Sequence, residues 1–277
     1  MKNFKVGIQL YSLREEMAAD TDATLKAVKE MGYDYVEFAG YHGHSAEELK
    51  GMLDKYGLTA ISVHQVYEPF LENEKEMIDY LKVLGVKYCA IPSMSRDKYA
   101  NGDIYDTVVK EITGVATALK NAGITMLYHN HDYEFVPHEG KLLIDHLYDS
   151  FPADLFQTEF DCCWIKYAGY DPSDYLRKYK GRSTVLHLKD FICTKKIEGP
   201  VYDLIDESGK IKKPIPRTET GFEFRPIGQG CQNFPEILKT AEEVGIEYII
   251  VEQDASPTCT PLEAAKQSRE YLKSIGY

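Results

Sequence analysis

Leu25–Phe38, LKAVKEMGYDYVEF, carries the pattern that decides the architecture. Apolar residues at helical spacing run up to Gly32, which takes the position just past a helix end, where a left-handed backbone costs least in glycine. A short run of β-branched and aromatic residues follows. The same unit returns as LKGMLDKYGLTAISV (49–63), IDYLKVLGVKYCAI (78–91), VATALKNAGITMLYH (115–129) and LKTAEEVGIEYIIV (238–251). Gly57, Gly85, Gly123 and Gly245 stand where Gly32 does. Ser45 and Glu48 form a capping box ahead of Leu49. The apolar runs show little alternation, as expected of strands buried on both faces.

Working outward, eight strands are predicted: Lys5–Tyr11, Tyr35–Ala39, Ala60–His64, Tyr88–Pro92, Thr125–His129, Leu155–Phe160, Thr184–Leu188 and Tyr248–Glu252. Helical stretches separate nearly all of them, and strand–helix alternation demands a parallel sheet. Eight such units in 277 residues predict one α/β domain, a (β/α)8 TIM barrel over 1–277, rather than an open doubly wound sheet. The segment after the first strand, QLYSLREEM, has none of the glycines that an open dinucleotide-binding sheet would carry there. A polar insertion of about 190–230, including TKKIEGPVYDLIDESGKIKKPIPRTETGFEF, separates the last two strands, and only NFPEILKTAEEVG (233–245) at its end reads as helix. Long loops on a barrel's catalytic face serve as lids, substrate walls or oligomer contacts, or are tolerated decoration.

Composition limits the partners. The chain is 44% hydrophobic and 27% charged, with 32 Lys and Arg against 44 Asp and Glu, a net charge of -12. That balance argues against nucleic acid or an anionic membrane surface as a partner. No secretory signal or apolar run near membrane-spanning length is seen, so a cytoplasmic location is expected. The six cysteines form no CxxC pair and read as reduced thiols. A homo-oligomer is compatible with all of this.

Barrel active sites gather at strand C-termini, and there the acids and imidazoles collect. The third strand ends at His64, and the fifth runs into YHNHDYEF with His129, His131 and Glu134. The sixth ends in TEFDCCW with Glu159, Asp161 and Trp164, the seventh in LHLKD with His187 and Lys189, and the eighth in VEQD with Glu252 and Asp254. Carboxylates and imidazole converging on one axis suit a divalent cation, whether Mn²⁺, Mg²⁺, Co²⁺ or Zn²⁺. Without one, like charges would repel in a low-dielectric cup.

The strand endings YHNHDYEF, FDCCW, HLKD and VEQD, in that order, resemble those of the xylose isomerase-like TIM barrel superfamily, over nearly the whole chain. The superfamily includes sugar phosphate isomerases and epimerases, ketose 3-epimerases, inosose dehydratases and endonuclease IV. The resemblance implies one divalent metal held by Glu134, Asp161, His187 and Glu252. It also implies isomerisation or epimerisation of a sugar, sugar phosphate or keto-sugar through a metal-stabilised enediolate, with Glu134 and Glu252 moving the proton. The runner-up is a lyase or dehydratase acting on an inosose or 3-keto-glycoside, with His131 as a base. A remote alternative is a non-catalytic sugar-binding barrel. His64 and His129 are candidate substrate contacts, and His129 and His131 are equally readable as support for Glu134. Lys189 polarises a carbonyl or makes a salt bridge. Trp164 stacks on a sugar face or packs in the core. Arg225 in FRPIGQG meets a substrate oxygen or phosphate. Trp164 also stands where endonuclease IV has a zinc-binding histidine, three residues after Asp161, which sets DNA repair aside.

Overall fold

The computed structural model describes residues 4–94, 98, 102–194 and 221–277. Eight strands close into a parallel barrel: β1 (Lys5–Gln9), β2 (Tyr35–Ala39), β3 (Thr59–His64), β4 (Tyr88–Ile91), β5 (Thr125–His129), β8 (Phe156–Asp161), β9 (Ser183–Leu188) and β12 (Tyr248–Val251). Two antiparallel ribbons stand outside it, β6 (Pro137–His138) with β7 (Lys141–Leu142), and β10 (Asp190–Cys193) with β11 (Phe222–Arg225). Neighbours round the barrel follow chain order, and β1 pairs with β12 to close it.

The repeated unit folds as its sequence predicts. Gly32, Gly57, Gly85, Gly123 and Gly245 all end helices with φ between 65° and 97°, a region that a Cβ disfavours. The Ser45 hydroxyl accepts the Glu48 amide at 3.2 Å while the Ser45 amide donates to the Glu48 carboxylate at 2.8 Å. Inside the barrel, Ile61, Ala90, Leu127, Val185, Tyr248 and Ile250 form an apolar plug joined by Tyr35 and Tyr88. A larger core lies between barrel and helices. The plug closes the barrel, and the acids and imidazoles of the strand C-termini lie beyond it.

Residues 195–220, most of the predicted insertion, lie outside the described residues. Its flanks form the β10–β11 ribbon, whose Phe191, Phe222 and Phe224 cluster with Cys163, Trp164 and Tyr167. All six cysteines are free. Among the described residues no helix is long and apolar enough to cross a membrane.

Candidate metal centre and active site

The strand ends deliver two overlapping groups of metal-competent atoms. His129, Asp161, His187 and Glu252 form one; His64, His129, Glu159 and His187 form the other, and within each the ligand atoms all lie within 4.8 Å. All but His64 are buried. The two shared imidazoles each present one nitrogen to each group. His129 Nε2 is 3.7 Å from Asp161 Oδ2 and 3.9 Å from Glu252 Oε2, while its Nδ1 is 3.4 Å from Glu159 Oε2. His187 Nδ1 is 2.9 Å from Glu252 Oε2, and its Nε2 is 2.7 Å from Glu37 Oε2. The first group forms an outer ring at the strand ends, and the second forms a floor beneath it.

Local folding explains how each member is aimed. Asp161 closes β8 and caps the helix Cys162–Tyr167: Oδ1 accepts the Cys163 amide at 2.7 Å, which leaves Oδ2 turned to His129 and Lys189. Capping and ligation thus use different oxygens of one carboxylate. Asn130 accepts the Asp161 amide at 2.9 Å and ties β5 to β8. Glu252 leaves β12 with its amide donating to the Leu188 carbonyl at 3.0 Å.

Lys189 is buried among three carboxylates, with Nζ 3.0 Å from Asp161 Oδ2, 2.9 Å from Glu252 Oε2 and 3.0 Å from Asp254 Oδ1. Its ammonium also lies 5.0 Å from the Trp164 ring centroid, in cation–π range. Burial works against its charge, but Asp161, Asp254 and Glu252 outweigh that and raise its pKa well above the usual lysine value. Burial likewise opposes ionisation of Glu252, yet Lys189 and His187 hold it well below the usual carboxylate range. Burial pushes Asp254 up to about 6.

His131 and His64, both on the cavity wall, have their pKa values driven apart. Burial, then the positive charge of Lys189, lowers His131 well below its ordinary value, so its imidazole is neutral. Burial would lower His64 too, but Glu37 and Glu159 overcome it and the net shift is upward. Both line a cavity of about 270 Å³ with Tyr11, Pro92, Lys189 and Asp254. That is just below the ~300 Å³ at which drug-sized pockets begin, a volume for one small ring.

The chemistry of the outer ring fits a divalent ion. It offers two imidazole nitrogens and two carboxylates, a borderline donor set suited to Zn²⁺, Co²⁺ or Mn²⁺. Asp161 Oδ2, though near Lys189, accepts no hydrogen bond of good angle among the described residues. A buried oxygen left so is costly unless an ion uses it.

The structure gives Glu134 a different place from the one expected for a ligand. It belongs to neither group. Its carboxylate is buried and turned back on its own strand, accepting the Tyr128 hydroxyl at 2.5 Å and the His131 amide at 2.7 Å. Burial raises its pKa to about 7 despite those donors. The chain turns after β5, so His129, at the strand end, stands in the ring where Glu134 was expected. Exchanging a carboxylate for an imidazole also moves the donor set away from Mg²⁺. Glu134→Gln is therefore expected to keep turnover within about tenfold of wild type, because a positioned acid–base residue is worth ~100-fold or more and none is lost. A fall beyond 100-fold in a steady-state assay would restore Glu134 to the chemistry.

Trp164 and Arg225 also lie elsewhere than their substrate roles require. Trp164 is fully buried, stacked on Phe222 at 5.9 Å, behind Lys189 rather than on the cavity wall. Arg225 pairs with Glu223 and donates to the Phe224 carbonyl, outside the cavity lining. The turn after it is held by Asp190, whose carboxylate accepts the amides of Gly228, Gly230, Gln232 and Phe191. A Cβ on Gly230 would fall 2.2 Å from Asp190 Oδ1, so the loop is built around that carboxylate.

Sequence reasoning missed Glu37 and left Glu159 without a role, although both are fully buried in the cup. The signal was available for Glu37. An acid inside the apolar run YVEF is as costly as Glu252 after YIIV.

Residues 25–275 match the family of xylose isomerase-like TIM barrels, and the chain belongs to it. Among curated relatives it is similar to the inosose dehydratase of Clostridium perfringens, 27% identical over 224 residues, which span 74% of this chain and 72% of that one. A crystal structure of a sugar phosphate isomerase/epimerase from Parabacteroides distasonis superposes with a TM-score of 0.77 at 25% identity, covering 99% of each chain. The IolI protein, solved with a bound zinc atom, superposes with a TM-score of 0.67 at 18% identity, over 98% of this chain and 97% of that one.

Proposed function

We propose that this chain is a divalent-metal-dependent lyase that eliminates water from a neutral, cyclic keto-polyol, with His129, Asp161, His187 and Glu252 as metal ligands. The observation that carries the choice of elimination over epimerisation is the place of Glu134. Two-base epimerisation needs proton carriers on opposite sides of the substrate carbon, and the second expected carboxylate is engaged by Tyr128 and the His131 amide. Elimination needs one base and one acid. His131, kept neutral, and His64, biased toward its cation, supply that pair on one cavity, and opposed environments of this kind define acid and base roles. The relationship to inosose dehydratases supports the same outcome.

When bound, a divalent ion supplies Lewis acidity toward the carbonyl oxygen, which acidifies the neighbouring C–H bond. His131 takes the proton from that carbon. The electron pair left behind moves toward the carbonyl and returns to form the C=C bond as the β-hydroxyl departs. His64 gives that hydroxyl a proton, and water leaves. Proton transfer from His131 to His64 or through solvent resets the pair. Lys189 and Asp254 hold the cup's charge and present donors and acceptors to ring hydroxyls. Among the described residues Lys189 is the only lysine or arginine lining the cavity, and three carboxylates already surround it. A phosphate would find no unshared cation there, which favours a neutral substrate.

The test is incubation in D2O, with added Mn²⁺, Co²⁺ or Zn²⁺, against a panel of inososes, ketoses and ketose phosphates. A product one water lighter, formed from an uncharged cyclic ketone and lost in His131→Ala, is expected. A product of unchanged mass carrying deuterium at the acidic carbon would mean isomerisation or epimerisation instead.

A further inference from the structure

Glu37 and Glu159, beneath the metal ring, have no part in the chemistry above beyond setting the charge on His64. Glu37 on β2 and Glu159 on β8 are fully buried one layer beyond the apolar plug. A barrel interior at this depth normally carries bulky apolar side chains, and buried carboxylates are retained only where something uses them. Glu37 Oε2 lies 2.7 Å from His187 Nε2 and 3.3 Å from His64 Nε2, and accepts Gln9 Nε2 at 2.8 Å. Glu159 Oε2 lies 2.8 Å from His64 Nε2 and 3.4 Å from His129 Nδ1. The contacts to His187 and His129 are close but bent.

A neutral imidazole carries one N–H, and the nitrogen bound to an ion cannot be the one that bears it. If His187 Nδ1 and His129 Nε2 face the ion, the protons must sit on His187 Nε2 and His129 Nδ1. Those are the atoms that face Glu37 and Glu159. We infer that Glu37 and Glu159 are positioning residues that fix the tautomer and ring orientation of His187 and His129, turning their outer lone pairs onto the metal. The inference rests on the metal-site reading proposed above. His64, between the two carboxylates, offsets part of their charge. A second ion in the floor would need bare inner nitrogens on imidazoles already bound outside, that is, two imidazolate bridges. Carboxylates that accept the remote N–H of a metal-binding histidine commonly contribute about 10–100-fold to metal affinity.

The experiment uses the full chain. Zn²⁺ affinity and stoichiometry are measured by competition with a chromophoric chelator, and the His187 tautomer by ¹⁵N NMR of the imidazoles, for wild type, Glu37→Ala, Glu37→Gln and Glu159→Gln. One ion per wild-type chain, a His187 Nε2–H tautomer, affinity lowered about 10–100-fold in Glu37→Ala and a smaller loss in Glu37→Gln, whose carbonyl still accepts, are expected. Unchanged affinity in both Glu37 variants with one ion retained would overturn the positioning role and leave the metal site standing. In the Zn²⁺-loaded wild type, a His187 proton on Nδ1 would overturn it even if Glu37→Ala does not fold. Two ions per chain would overturn it in favour of a cation in the floor, and no ion would remove both readings.

Discussion

His187→Ala is expected to abolish tight binding of the divalent ion and to lower turnover by about three to four orders of magnitude. His187 is one of the two imidazoles that reach both layers, and makes the closer contacts, with Nδ1 at 2.9 Å from Glu252 and Nε2 at 2.7 Å from Glu37. Its deletion removes a ligand and leaves both carboxylates short of a partner. Metal polarisation of a carbonyl is worth several kcal/mol, and each ~1.4 kcal/mol is tenfold in rate, which sets the size of the loss. Elemental analysis after dialysis and steady-state kinetics measure it. A variant that keeps a full equivalent of metal and more than a tenth of wild-type turnover would show that the ion, if present, is held elsewhere.

Lys189→Met is expected to destabilise the apoprotein by about 3–5 kcal/mol at pH 7–8, the usual result of removing one partner from a buried ion pair. Methionine nearly matches the volume but leaves Asp161, Glu252 and Asp254 facing one another without an ammonium. The pH dependence has a definite sign. Glu252 is held well below its ordinary value of 4.5 by Lys189 and His187 against the effect of burial. A carboxylate depressed in the folded state contributes stability above its unfolded pKa, and that contribution is lost as pH falls through the folded one. The gap between wild type and variant should therefore begin to narrow near or above pH 6, where Asp254 and its neighbours take up protons in the variant, and keep narrowing below pH 4.5 as wild type loses the Glu252 contribution. Saturating divalent ion should narrow it too, because the ion offers Asp161 and Glu252 a different cation. Urea denaturation across pH, with and without metal, reads both effects. Equal stability of the two proteins at pH 8 would mean that these carboxylates are not ionised together.

Most of the fold was legible because one local signal recurs. Helical spacing, a glycine and a dense apolar run mark where most strands begin, and β2, β3, β4, β5, β8, β9 and β12 lie within a residue of their predicted bounds. The same logic put Asp161, His187 and Glu252 at or next to strand C-termini, where strand direction aims them at the barrel axis, and the resemblance to the superfamily singled them out among the acids and imidazoles there. Glu134 is different. It lies five residues past β5, in a turn whose path depends on Tyr128 and the His131 amide rather than on strand geometry. No one-dimensional pattern distinguishes a loop carboxylate that reaches into the cup from one that folds back. His129 reads from the sequence equally as a substrate contact or as support for Glu134, and the resemblance assigns the ligand on that side of the ring to the glutamate. Trp164 was ambiguous for a related reason: its partners Phe222 and Phe224 arrive from about sixty residues downstream, across the insertion. Glu37 was legible too, because an acid within the apolar strand YVEF is costly without a partner.

The central claim is the composition of the metal ring, and the most direct measurement is anomalous diffraction from crystals of the protein loaded with Mn²⁺ or Zn²⁺. The account predicts a single strong peak bound by His129 Nε2, Asp161 Oδ2, His187 Nδ1 and Glu252, at about 2.0–2.3 Å for each bond, with Glu134 still holding Tyr128 and the His131 amide. A peak that takes Glu134 as a ligand in place of His129, or one seated between His64, Glu37 and Glu159, would contradict it.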